Sequence, residues 1–347
     1  MKDRIIVNKY PDQQYSTLFN QMSGMFLRIE DDGIPEPFWC SYGPELMDIS
    51  ITNWCDLGCD FCYKMSNNSG THMSIENYEM LLEQAGEMKV SQIALGGGNP
   101  NQHPDFCEIL RLTREKYNIV PSYTTNGRGV TNEILKSTKM YCGAVAVSAY
   151  EPYEEMIETI STLVKHKIKT NLHFLLTNKS VDVAISWLES LPEFLYFVNA
   201  IIFLNYKPAG RLQSEDLLAN KHPDIERFFS LVNQQNKLKI GFDSCSISGI
   251  ARSLDVNPAF VESCEAARFS MYISEDMMMY PCSFAIEKFE GINLLENKIQ
   301  ESWQYGTSFQ EIRKKMGQNP CPLCNVKEMC SGGCPIYPEI NFCMGLQ

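Results

Sequence analysis

The stretch Cys55-Asp56-Leu57-Gly58-Cys59-Asp60-Phe61-Cys62 constrains this chain more than any other. Three thiols follow an apolar run, Met47-Asp48-Ile49-Ser50-Ile51, with three and then two residues between them. Thiolates are the usual ligands of iron–sulfur clusters. A cubane cluster has four irons, and this loop offers three sulfurs. With no fourth protein ligand, one iron stays open for a small molecule, as the open position of a catalytic zinc does. A disulfide or a zinc knuckle is the plainer alternative. Zinc sites favour paired Cys-x2-Cys arms, and the third Cys at x3 departs from that pattern.

The chain has 347 residues and 14 cysteines. The N-terminal Met-Lys-Asp-Arg is followed by no signal-peptide apolar region, and no run reaches membrane length. So many thiols in such a chain point to metal ligation in a reducing, cytoplasmic setting rather than to disulfides. Thirty basic against 42 acidic side chains give a net charge of −12, which disfavours a nonspecific nucleic-acid binder. The length suits a large α/β domain with a smaller one.

Residues 1 to 45 are the least legible. Met25–Glu30 followed by Asp31-Asp32-Gly33 reads as a strand entering a turn. Cys40, beside Phe38 and Trp39, reads as packing. From residue 47 apolar strand candidates recur at Met47–Thr52, Gln92–Leu95, Val120–Thr124, Ala144–Ala149, Thr170–Leu176 and Ala200–Asn205. Amphipathic stretches at 74–88, 104–117, 151–167 and 182–191 separate them. That alternation predicts parallel βαβ units, six in number, forming a partial barrel. Ligands of such folds sit at the carboxyl ends of the strands. The three-Cys loop follows the first strand and so falls on that edge. The second strand runs into Gly96-Gly97-Gly98-Asn99-Pro100, where missing side chains would let a ligand approach the backbone, although a glycine triplet is often only a turn. The third ends at Thr124-Thr125-Asn126-Gly127 and the fourth at Ser148. His173, Lys207 and Arg211 lie on or after the fifth and sixth strands as candidate substrate contacts. Each has a plain alternative as a core or turn residue.

Cys55-x3-Cys59-x2-Cys62, with Phe61 before the last Cys, resembles the signature of the radical S-adenosylmethionine superfamily. The glycine run and Thr125-Asn126-Gly127 stand in that family's order, over roughly residues 47–215. The resemblance implies a [4Fe–4S] cluster on Cys55, Cys59 and Cys62, whose open iron chelates S-adenosylmethionine. It would place the methionine amino group at Gly96, Gly97 and Gly98, the adenine near Phe61, and the ribose or methionine near Asn126 and Ser148. Thr125 belongs to the same cofactor edge. Asn99 stands where the family often has Glu, which puts its contact with the amino group in question.

The C-terminal third adds Cys245, Cys264, Cys282, Cys321, Cys324, Cys330, Cys334 and Cys343. Eight sulfurs close two four-iron clusters, or equally two zinc sites. The x2-x5-x3 run from Cys321 to Cys334, and Tyr280-Pro281-Cys282, resemble the SPASM extension of some radical S-adenosylmethionine enzymes. That resemblance implies one auxiliary cluster on Cys245, Cys264, Cys282 and Cys334 and another on Cys321, Cys324, Cys330 and Cys343. Without Cys245 the first would keep an open iron. Cys107 and Cys142 match no motif and read as core. The implied division is an N-terminal extension (1–45), a partial barrel (46–237) and a SPASM domain (238–347).

Relatives of this architecture mostly modify peptides. The resemblance implies a 5′-deoxyadenosyl radical that installs a thioether or carbon–carbon cross-link in a ribosomal peptide. Its implied partners are a precursor peptide and a flavodoxin- or ferredoxin-type electron donor, with leader recognition falling to a separate leader-binding protein or to the strand region near residues 25–33. Peptide epimerisation and sulfatase maturation by formylglycine formation are alternatives; Ser283 stands where sulfatase-maturating members carry an Asp base. A non-catalytic iron–sulfur electron carrier is the alternative of another class.

Overall fold

Six apolar runs become strands, and the helices between them arise from ordinary caps and stripes. In this computed structural model residues 5–31, 33–211, 217, 222–318 and 321–343 are described. The strands are β1 (Ile5–Tyr10), β2 (Tyr15–Asn20), β3 (Phe26–Glu30), β4 (Leu46–Thr52), β5 (Gln92–Gly97), β6 (Val120–Thr125), β7 (Val145–Ser148), β8 (Thr170–Leu176), β9 (Ala200–Asn205), β10 (Ile240–Phe242), β11 (Ser270–Ile273), β12 (Met278–Tyr280) and β13 (Ile292–Asn293). The helices used below are α1 (Ile75–Glu87), α2 (Phe106–Arg111), α3 (Asn132–Tyr141), α4 (Tyr153–Lys165), α5 (Val181–Glu189), α6 (Ile225–Gln234) and α7 (Ile247–Ser253). In α1 the Ser74 hydroxyl caps Asn77 N, and Tyr78, Leu81, Leu82 and Ala85 form the buried stripe. Thr131 caps α3 in the same way, at Ile134 N.

Two compact units interleave in sequence: residues 1–56, 66–145 and 266–311, and residues 57–65, 146–265 and 312–347. In the first unit β6, β5, β4 and β11 pair in parallel in that order, and the sheet continues antiparallel into β12 and β13. In the second unit β8, β9 and β10 pair in parallel, next to β7. All six expected strands form, α1, α4 and α5 lie within two residues of their expected bounds, and α2 passes into a π-helical turn over Leu112–Lys116.

Three features lie outside those expectations. The N-terminal stretch is a three-stranded antiparallel sheet, not one strand. β11, from the Cys-rich third, joins β4 in parallel register, Ile273 opposite Ile49. α3 fills the connection from β6 to β7. The N-terminal sheet is fastened by buried polar contacts. The Tyr15 hydroxyl donates to Glu45 Oε1 at 3.1 Å, Arg28 Nε donates to Glu45 Oε2 at 2.7 Å, and the Arg28 guanidinium lies 3.7 Å from the Phe269 ring centroid. Cys40 is buried among Tyr10, Tyr15 and Phe269, a packing residue as read. Cys107 and Cys142 are half-buried rather than fully enclosed.

Candidate active site

The first unit holds the Cys55 arm. Past β4, the Thr52 hydroxyl accepts from Trp54 N at 2.9 Å, and Cys55 N donates to Asn67 O at 2.9 Å. Gly98 N donates to Thr52 O at 2.7 Å and Asn99 N to Trp54 O at 3.0 Å. The glycines make this approach possible. A Cβ on Gly97, whose φ is +111°, would stand 2.0 Å from Thr52 O, and one on Gly98 would stand 2.0 Å from Trp54 O. Their bare faces are therefore filled by the chain's own backbone. Gly96 differs: its nearest neighbour to an added Cβ is Asp48 Oδ1, at 3.6 Å. Of the three, Gly96 leaves room for a ligand.

Asn99 is 1% exposed and spends its amide on the next loop. Its Nδ2 donates to Arg128 O at 3.0 Å, while Oδ1 accepts from Asn126 N and the Thr125 hydroxyl. Asn101, which sequence reasoning passed over, makes a matching pair: Nδ2 to Arg128 O at 2.7 Å and Oδ1 from Thr125 at 2.6 Å. The repeated Asn in Asn99-Pro100-Asn101 was its only signal. Asn99, Asn101 and buried Thr125 thus clamp the 125–128 turn. The turn aims Asn126 Nδ2 at Cys55 Sγ, 3.7 Å away, as an amide donor to a ligating sulfur would be aimed. Arg128 lies 4.0 Å from Asp56. The Ser50 hydroxyl, 2.9 Å from Glu275 Oε2, adds a half-buried carboxylate on the 274–276 turn that no sequence motif marked.

The second unit holds Cys59 and Cys62, joined by a turn in which Cys62 N donates to Cys59 O at 3.2 Å. The Phe61 ring packs on Tyr150 with centroids 5.1 Å apart. Ser148 is buried at the end of β7. The three proposed substrate contacts diverge. Lys207 is buried and ion-paired with Asp243; burial opposes its charge, but Asp243 outweighs it and holds the ammonium above its usual range. Arg211 is spent on the backbone of the Cys59–Cys62 loop. His173 lies on the half-buried face of β8, where every second residue is partly open.

Burial pushes His173 down to about 4, with Asp243 partly opposing. A histidine with a folded value below its unfolded one stabilises above the unfolded pKa and is a liability below it. Stability should therefore fall between pH 6.5 and about 4. Urea denaturation of the metal-free chain should lose about 2 kcal/mol at this residue between pH 7.5 and 5. His173→Gln should remove that part of the loss.

The thiols of the C-terminal third in the second unit fall into two groups. Cys245, on the turn before α7, lies within hydrogen-bonding range of Cys334, and this contact together with burial raises it well above the usual thiol range. Cys334 N is held by Asn341 Oδ1 at 2.9 Å. Cys330 is pushed up to about 11 by burial and then by Cys343, and Cys343 also feels Cys321 and Cys324. Cys264 is buried. Cys282, in the first unit, accepts from Phe284 N at 3.4 Å. Among the described residues no three thiols lie within 4.8 Å of one another.

Comparison with known proteins bears on this arrangement directly. Residues 49–183 match the Radical SAM superfamily. They are a radical SAM domain. Its cofactors are a [4Fe–4S] cluster and S-adenosylmethionine. The chain is 23% identical over 317 residues to mycofactocin maturase MftC of Mycolicibacterium smegmatis, covering 84% of this chain and 78% of that protein. A probable GTP 3′,8-cyclase of Methanocaldococcus jannaschii is 27% identical over 175 residues, which is 46% of this chain and 59% of the cyclase. Among solved structures, Streptococcus suis SuiB bound to precursor peptide SuiA aligns with TM-score 0.74 and 16% identity, covering 96% of this chain and 97% of SuiB. Native anSMEcpe with bound AdoMet aligns at TM-score 0.65 and 15% identity, over 86% and 94%. These likenesses show that the radical SAM domain and the rest of the chain share the partial-barrel α/β fold of those structures.

Proposed function

We propose that this radical SAM enzyme matures a ribosomal precursor peptide by installing a thioether or carbon–carbon cross-link. The observation that carries the reading is likeness to a named maturase over 84% of this chain, where probable GTP 3′,8-cyclases match 46 to 70% of it, together with the alignment of SuiB bound to its precursor peptide over 96%. Cys55, Cys59 and Cys62 hold the catalytic cluster in this reading. When bound, the cluster and S-adenosylmethionine supply a 5′-deoxyadenosyl radical by one-electron cleavage. The chain's own residues do the rest. Asn126 donates to the Cys55 sulfur, Gly96 leaves its face open for the methionine end, and Phe61 offers a ring for the adenine. Partly open His173, Asn171 and Leu175 line one side of β8 for the substrate.

The grouping of Cys245 with Cys334, and of Cys321, Cys324, Cys330 and Cys343, supports two auxiliary clusters, the first with Cys264 and Cys282. When bound, such clusters would supply an acceptor for the electron left after radical coupling. A flavodoxin- or ferredoxin-type protein in a reducing compartment supplies the first electron, and a separate protein presents the leader.

Anaerobically reconstituted enzyme, incubated with reductant, S-adenosylmethionine and candidate precursor peptides, should release 5′-deoxyadenosine and convert one of them to a peptide lighter by two hydrogens. Release of 5′-deoxyadenosine with no peptide change would overturn the cross-linking reading.

A further inference from the structure

The segment after β9, Lys207-Pro208-Ala209-Gly210-Arg211, crosses the loop that carries Cys59 and Cys62. Its inner end is tied down by the buried Lys207–Asp243 pair and by Ala209 N donating to Lys207 O at 2.9 Å. Its outer end touches the loop at four places. Arg211 N donates to Cys62 O at 3.2 Å. Arg211 Nη1 donates to Cys59 O at 2.5 Å, and Nη2 approaches Met65 O at 3.5 Å. A Cβ on Gly210, whose φ is +70°, would stand 2.5 Å from Cys62 O and 2.4 Å from Tyr63 O. Glycine is thus the residue that lets the two backbones meet.

One residue therefore grips the carbonyls of two cysteines, one through its main chain and one through its guanidinium. Fixing a peptide carbonyl fixes the backbone torsions beside it, and with them the direction of Cα–Cβ. A planar guanidinium holds its donors in a fixed fork, whereas the three donors of an ammonium rotate on a flexible stem.

We propose that Arg211 is the positioning residue of the radical SAM cluster: it locks Cys59 and Cys62 in the backbone geometry that presents both sulfurs, and places a positive charge behind them. The proposal rests on Cys59 and Cys62 being cluster ligands. A cation at this distance favours the reduced, more negative cluster, and supporting groups of this kind change metal affinity by about 10- to 100-fold.

The test uses the full chain, reconstituted anaerobically, as wild type, Arg211→Gln, Arg211→Lys and Gly210→Ala. Only a cluster with an open iron changes its electron paramagnetic resonance signal when S-adenosylmethionine is added, so that change isolates this cluster from the auxiliary ones. Under excess iron chelator the responsive signal should decay about 10-fold faster or more in Arg211→Gln and Gly210→Ala, and at an intermediate rate in Arg211→Lys. The midpoint potential should move negative in Arg211→Gln and stay near wild type in Arg211→Lys, a split that loss of packing alone would not produce. If Arg211→Gln does not fold, the comparison of Arg211→Lys and Gly210→Ala with wild type decides by the same decay rates. Wild-type decay and wild-type potential in Arg211→Gln would overturn the role of Arg211 alone. Absence of a responsive signal in the wild type would overturn the cluster assignment and this proposal with it.

Discussion

Changing Cys55, Cys59 and Cys62 together to alanine should abolish reductive cleavage of S-adenosylmethionine, with 5′-deoxyadenosine falling to the level of an enzyme-free control. The expectation follows from chemistry rather than from packing. The three thiols are half-buried, and replacing them removes little apolar surface, so the metal-free fold should survive. The cluster loses its protein ligands, and about four irons per chain should disappear from the reconstituted enzyme while those of the C-terminal third remain. Asn126→Ala provides the graded comparison. It removes the donor 3.7 Å from Cys55 Sγ but no ligand, and should cost about 10- to 100-fold in activity. Turnover that persists in the triple variant would show that the cleavage chemistry resides elsewhere.

Gly97→Ala should be strongly destabilising. The added carbon would overlap Thr52 O at 2.0 Å and Ser50 Oγ at 2.3 Å, on a residue whose φ of +111° L side chains rarely adopt. Overlap with backbone cannot be relieved by turning a side chain. Overpacking and the strained torsion together should cost about 3 kcal/mol or more, or roughly 4 °C in the melting temperature of the metal-free chain. Gly96→Ala separates folding from binding. Its Cβ meets only Asp48 Oδ1 at 3.6 Å, so stability should change by less than about 1 kcal/mol. The methyl occupies the open face, so the KM for S-adenosylmethionine should rise. Equal melting losses in both variants would contradict the division drawn here between a structural and a receptive glycine.

The parallel strands and the helices α1, α4 and α5 were legible because each is a long run with one dominant period. The N-terminal sheet was not. Its strands β1 and β3 show apolar residues to solvent, Ile5 and Val7 at 52% and Leu27 at 42% exposure, so hydrophobicity did not mark an inside. β11 reads as part of the Cys-rich extension, and its parallel pairing with β4 over a distance of more than 200 positions had no local signal. At the site, cysteine spacing was readable because ligand chemistry acts through a few atoms at short range in sequence. The clamp made by Asn99, Asn101 and Thr125 joins residues 24 to 29 positions apart. Nothing in their spacing told which asparagine would be buried and which would turn toward sulfur. Arg211, 152 positions from Cys59, lay further still beyond any local pattern.

The register of β11 on β4 also bears on ancestry and engineering. Ser270 to Ile273 supply the ladder partners of Leu46 to Ile49 on the strand that leads into Cys55. A gene shortened before residue 238 would leave that strand with a bare rim of amide and carbonyl groups, ready to recruit another chain. The Cys-rich tail is thus no detachable module: transplanting it, or exchanging it between homologues, means rebuilding the strand pairing on the strand that leads into Cys55.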